Sequence, residues 1–303
     1  MAALTLGPQF LAAPARAQST AETEAKSPMA ERNFKISLAG WSLHRAVFGG
    51  ELKMIDVPRV MREELGIDGL EFVNTMMEVP TAGYVGQMLA QCGQYGITPV
   101  LIMCDAEGEL GSPDAKAREA AVRNHRKWLW IAQDLGCKSI RVNWGGAQQS
   151  EQKDLAAAGE LIARSAETMG TLADYGAECG LNVSIENHGG ASSYPDMLVA
   201  LMKAVDRPNF GTLPDFGNFP DDVDRYDATD RMMPYAKALS AKCHDFGEDG
   251  METKIDFPRM IEICVDKHGY DGWIGIEYEG GRLTEREGIL ACKALLEKLR
   301  ATA

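Results

Sequence analysis

Four residues in the second half of the chain have side chains that together could hold a metal ion and move a proton. Glu186, Asp215, His244 and Glu277 each end a short β-rich run: NVSIE, FGTLPD, ALSAKCH and GWIGIE. Three carboxylates gathered at one point repel one another and are costly to desolvate, and a divalent cation removes both problems. Three oxygens and one nitrogen suit one Mn²⁺, the first expectation, or Mg²⁺, Co²⁺ or Zn²⁺, and the absence of thiolates argues against a structural zinc site.

These groups can meet only if strands carry them to one place, and strand parity tests that. Alternate residues of a strand face opposite sides. With Val183 and Ile185 turned to a helical layer, Ser184, Glu186 and His188 face inward. The same count turns Gly211, Leu213 and Asp215 inward, then Ser240, Lys242 and His244, then Gly275, Glu277 and Glu279. Glu279 shares parity with Glu277 and is the alternative ligand, but Glu277 sits at the strand end.

The strands belong to a repeated grammar. An amphipathic helix ends at a glycine and a β-rich run follows, as in LGIDGLEFV, YGITPVLIM, LGCKSIRVN, CGLNVSIEN and HGYDGWIGIE. Gly66, Gly96, Gly136, Gly180 and Gly269 fit the left-handed residue just past a helix end. With ISLAGW, NFGTLPD and ALSAKCH the strand count reaches eight, at about 34 residues per unit, the size of a βα repeat in a (β/α)8 barrel. The last helix is expected over 286–300, with Ile289, Cys292, Leu296 and Leu299 as its apolar stripe. The fold class is therefore α/β, a single (β/α)8 TIM barrel over residues 33–303 behind a leader at 1–32. Polar groups converge at the C-terminal strand ends, where barrel active sites are built.

Composition narrows the partners. The 303 residues carry 44 acidic and 31 basic side chains, a formal net charge of −13, with no basic cluster to neutralise phosphates, so nucleic acid is not an expected partner. Residues 1–15 form an uncharged stretch too short to span a membrane. With Ala15-Arg16-Ala17 as a small-x-small cleavage pattern it reads as an export signal without its basic start, which places the protein in the periplasm or outside the cell, or in the cytoplasm if the leader is only an Ala-rich tail. Seven scattered cysteines suggest core residues rather than a disulfide framework.

At IENH (185–188), LPDFGN (213–218), SAKCHDF (240–246) and GWIGIEYEG (272–280) the chain resembles the xylose isomerase-like TIM barrels, the sugar phosphate isomerase/epimerase family. The resemblance implies that Glu186, Asp215, His244 and Glu277 bind one Mn²⁺, Co²⁺ or Mg²⁺. It also implies that Glu186 and Glu277 flank a sugar and exchange a proton at a carbon next to its carbonyl. Where ketose 3-epimerases usually carry histidine this chain has Asn218, and no arginine follows His244 before Arg259. Trinuclear zinc endonucleases of the same fold need more histidines than the five present.

His188, Lys242, Asn218, Asn143, Glu71 and Trp41 are the expected substrate contacts, with Trp144 a second aromatic and Arg141 an inward neighbour. His188 could donate to a hydroxyl or act as a second acid/base. Lys242 could neutralise an acidic neighbour or stabilise an oxyanion. The expected activity is a metal-dependent isomerase or epimerase of a carbohydrate, working through an enediolate. A lyase or dehydratase acting on a keto-sugar, inosose or 3-keto-glycoside is the alternative, and a non-catalytic metal-bearing sugar-binding barrel is a third. Assembly into identical copies is left open.

Overall fold

The computed structural model describes residues 1–3 and 31–301. Contacts group Glu31–Ala303 into one compact unit. Most of the expected leader, residues 4–30, lies outside the described residues. Arg32, at its expected end, is anchored: its N–H donates to the Arg300 carbonyl at 3.0 Å and its guanidinium pairs with Asp266.

Eight parallel strands follow the expected grammar: β1 Lys35–Ala39, β2 Gly69–Val73, β3 Thr98–Cys104, β4 Ser139–Val142, β5 Asn182–Glu186, β6 Phe210–Leu213, β7 Leu239–Cys243 and β8 Trp273–Tyr278. They hydrogen-bond in the order β6-β5-β4-β3-β2-β1-β8-β7. The remaining seam, β6 to β7, has no continuous ladder. It is held by isolated parallel bridges at Thr212–Ala236 and Asp215–Ser240, with Ser240 N–H donating to the Pro214 carbonyl and Phe216 N–H to the Ser240 carbonyl, both at 3.0 Å. Helices connect the strands, and all five helix-ending glycines adopt positive φ, from 61° at Gly66 to 81° at Gly136.

Parity divides the barrel as the side chains require. Val183, Ile185, Ile274, Ile276, Leu239 and Ala241 are buried hydrophobic residues of the core. Ile289, Cys292, Leu296 and Leu299 of the last helix, Glu285–Ala301, are buried in the same core. Part of the inward layer is small and polar, with Ser37, Gly275 and Ser240 in register across β1, β8 and β7. Glu71 fills the space left by Gly275: an added Cβ there would meet its carboxylate oxygens at 2.4 and 2.6 Å. All seven cysteines are free thiols, and no helix among the described residues is long and apolar enough to cross a membrane.

Candidate active site

Glu186 is the last residue of β5, Glu277 lies near the end of β8, and Asp215 sits two residues past β6 on the seam. All three are buried, and one carboxylate oxygen from each lies within 4.8 Å of the others.

Each carboxylate is oriented by neighbours. Asp215 Oδ1 accepts the backbone N–H groups of Gly217 and Asn218, both at 2.8 Å. Asn187 holds the backbone of Asp215, accepting its N–H at 2.7 Å and donating to its carbonyl at 2.9 Å. Ser240 Oγ stands between two oxygens, 2.6 Å from Asp215 Oδ2 and 2.9 Å from Glu277 Oε2. Its single proton serves one of them at a time. Glu186 Oε1 accepts from Asn218 Nδ2 at 2.9 Å. Its Oε2 lies 2.8 Å from Arg141 Nε but off the N–H direction, so the charges meet while neither atom makes a hydrogen bond.

Two cations enclose the group. Arg141 also donates to Asp105 at 2.7 Å. Lys242 Nζ reaches Glu277 Oε1 at 3.1 Å, Asn218 Oδ1 at 3.1 Å and Glu279 Oε2 at 3.4 Å. In formal charge, Glu186, Asp215, Glu277, Glu279 and Asp105 exceed Arg141 and Lys242 by three, a surplus that a divalent cation would reduce. Burial pushes the carboxyls of Glu186 and Asp215 up, against the lowering pull of Arg141 on the first and Lys242 on the second. Burial would lower the Lys242 ammonium, but Asp215, Glu277 and Glu186 outweigh it and hold it above the ordinary lysine range. Hard oxygen donors, a surplus of negative charge and an orphaned buried oxygen on Glu186 make this donor set fit a hard divalent cation.

His244, the expected nitrogen ligand, is not in this group. It is half-buried past the end of β7, its N–H donates to Glu252 Oε1 at 3.1 Å, and its ring makes no hydrogen bond among the described residues. Asn218 stands at the carboxylates as described. Asn143 donates to Asp105 at 2.8 Å, one step removed from Glu186 through Arg141. His188 is exposed at the rim. Trp41 donates its indole N–H to Glu279 at 2.6 Å and stacks on His44.

Two expectations change. Glu71 does not face a substrate: it is fully buried, bonded to Ser37 Oγ at 2.6 Å, because the small layer of the barrel interior admits it there. Trp144 turns away from the mouth and donates to Ser165 Oγ in the helix Gly159–Glu178 at 2.8 Å, since its parity past β4 points into the helical layer. Sequence reasoning assigned no role to Ser240 or Asp105. Parity already turned Ser240 inward, while Asp105 lies past the last residue of β3, where the period of two ends.

A family model described as "Xylose isomerase-like TIM barrel" matches residues 62–300. No protein with curated annotation matches the sequence. Among solved structures, a D-tagatose 3-epimerase-like protein superposes with a TM-score of 0.71 at 16% identity, covering 88% of this chain and 97% of that one. A xylose isomerase-like TIM barrel protein from Mycobacterium smegmatis, in complex with magnesium, gives 0.61 at 18%, covering 82% and 89%. The probable 3-DHS dehydratase AsbF of petrobactin synthesis, from Bacillus anthracis, gives 0.66 at 16%, covering 87% and 99%. At these identities the likeness is one of fold.

Proposed function

Since the chain belongs to the xylose isomerase-like TIM-barrel family, we propose that it is a divalent-metal-dependent isomerase or epimerase that moves a proton at a carbon next to the carbonyl of a carbohydrate. The observation that carries this reading is the buried meeting of Glu186, Asp215 and Glu277 at the C-terminal end of the barrel. These three would hold the ion, with His244 as the fourth ligand after a turn of its uncommitted ring, and Mn²⁺ is the preferred occupant. An ion held there would supply Lewis-acid polarisation of the substrate carbonyl.

The chain's own residues do the rest. One of Glu186 and Glu277 takes the proton from carbon, leaving an enediolate, and the other returns a proton from the opposite face. Burial raises the basicity of Glu186, which suits it to accept a proton from carbon. Lys242 keeps its proton and faces the developing oxyanion with a fixed positive charge. Arg141 and Asn218 hold Glu186 in place, and His188 and Trp41 at the mouth contact the substrate's hydroxyls and its C–H face.

The test is solvent deuterium exchange with Mn²⁺ present, across keto-sugars, inososes and 3-keto-glycosides. Label is expected at the carbon beside the carbonyl, and Glu186→Gln and Glu277→Gln should each slow its entry about 10²–10⁴-fold. Undiminished exchange in both variants would refute the assigned bases, and binding without any exchange would favour a non-catalytic barrel. A second reading, β-elimination from the same carbanion, draws support from the dehydratase among the similar folds and from Asn218 at the position where the epimerases usually have histidine. Loss of water or an alcohol from the labelled product identifies it.

A further inference from the structure

We propose that Glu252 is a positioning residue of the candidate active site, holding the backbone of His244 so that a turn of the imidazole brings it to an ion on Glu186, Asp215 and Glu277. The inference rests on the proposed place of His244 as fourth ligand and names what keeps it within reach. Glu186, Asp215 and Glu277 are each held through their carboxylates, by Asn218, Ser240 and Lys242. The ring of His244 has no such partner among the described residues, so its position depends on its backbone.

That backbone is gripped from two sides. The loop after β7 folds back as a short hairpin, with an antiparallel bridge between Phe246 and Glu252 and the Thr253 N–H donating to the Asp245 carbonyl at 3.0 Å. The hairpin returns Glu252 to the strand end, where it is only 7% exposed. Its Oε1 accepts the N–H groups of His244 at 3.1 Å and Asp245 at 3.3 Å, and its Oε2 those of Lys254 at 2.6 Å and Ile255 at 2.5 Å. A carboxylate has about four lone-pair sites, so four donors use it up, and Glu252 has no acceptor left for a metal or a substrate. Hydrogen bonds from N–H to a carboxylate are roughly twice as strong as neutral ones, which suits the group to fixing a loop. The other side is Gly280, in the loop after β8, whose backbone lies so near the His244 carbonyl that an added Cβ would stand 1.7 Å from its oxygen. Arg282 of the same loop donates to the Phe246 carbonyl at 2.7 Å and pairs with Asp245. These ties act on the backbone around His244 and leave its ring free to turn.

The experiment measures Mn²⁺ affinity by calorimetry on the full chain, together with amide hydrogen exchange. Glu252→Gln keeps the shape but replaces one carboxylate oxygen with a nitrogen that cannot accept, leaving two of the four donors unpaired. It is expected to weaken Mn²⁺ binding about tenfold, as loss of a group that orients a metal ligand does, and His244→Ala by at least as much. In the His244→Ala background Glu252→Gln should then change the affinity by less than about twofold, since a residue that acts through His244 has nothing left to act on. Glu248→Gln, exposed on the same hairpin, should leave the affinity as it is. An affinity unmoved by Glu252→Gln, or losses that multiply in the double variant, overturns the inference. Absence of Mn²⁺ binding in the wild type, or its full survival in His244→Ala, refutes instead the reading on which the inference rests. Exchange supplies a check that needs no variant to fold. In the wild type the amides of His244, Asp245, Lys254 and Ile255 should exchange about tenfold or more slower than that of Glu248, and equal rates overturn the inference.

Discussion

Lys242 is the residue on which the charge balance of the site turns. Its ammonium touches Glu277 at 3.1 Å, within the space between carboxylates that a divalent ion would share. At an effective dielectric of about 20, two unit charges 4 Å apart interact by about 4 kcal/mol, so this cation and an incoming metal repel appreciably. Lys242→Met, which keeps the length and removes the charge, is therefore expected to tighten Mn²⁺ binding by about tenfold or more in calorimetry, while slowing exchange through loss of the oxyanion partner. Unchanged Mn²⁺ affinity would sink the electrostatic account, and unchanged exchange would reduce Lys242 to a neutraliser. Its inward direction was legible from parity alone, as was that of Ser240. What parity could not reveal is distance: it turned His244 inward with the rest, yet past the strand end the backbone follows the loop and binds Glu252 instead.

The elements that bring these residues together differ in how firmly they are joined. Seven neighbouring strand pairs share ladders, while β6 and β7 share isolated bridges, and the candidate site straddles that join. Gly211 lets β6 approach the segment that leads into β7: an added Cβ would meet the Tyr235 carbonyl oxygen at 2.1 Å and the Lys237 side chain at 2.7 Å. A backbone oxygen cannot yield as a side chain can, so Gly211→Ala must push β6 away from the segment that leads into β7. It is expected to lower the thermal midpoint and to loosen metal binding at Asp215. Gly86→Ala, in the helix Ala82–Tyr95 with no atom within 4 Å of the new methyl, should raise the midpoint through helix propensity worth up to about 1 kcal/mol. A midpoint for Gly211→Ala at or above wild type in the same melts would refute this reading of the seam. The eight strands and their glycine-ended helices were legible because period, stop signal and spacing agreed. The weakness of one join was not, since the run FGTLPD alternates as well as any other.

For the molecule as a whole, the formal charge of −13 overstates what the folded chain carries at neutral pH. Glu71 is pushed up to about 8, by burial first and by Glu277 and Glu186 next, against the lowering bond from Ser37. Its folded pKa lies above the unfolded one, so between about pH 4.5 and 8 the folded chain holds a proton that the unfolded chain has released. Stability from this group is full below that window and is lost as pH rises through it. Wild type should accordingly lose more thermal stability than Glu71→Gln between pH 5 and pH 8.5, and parallel profiles would show that Glu71 ionises freely. Composition could supply the charge but not its address, because ionisation depends on burial and a carboxylate's depth is decided by strands far away in sequence. The seam joins the same argument at the scale of binding. Asp215 stands on one lip of the join and Ser240 and Lys242 on the other, so an ion held by Asp215 and Glu277 spans the gap. Whatever binds there acts as a clasp on the barrel, and by linkage the free energy of binding becomes free energy of closure. On the proposed reading the site would then be a structural member as well, with its occupancy opposing separation of β6 from β7.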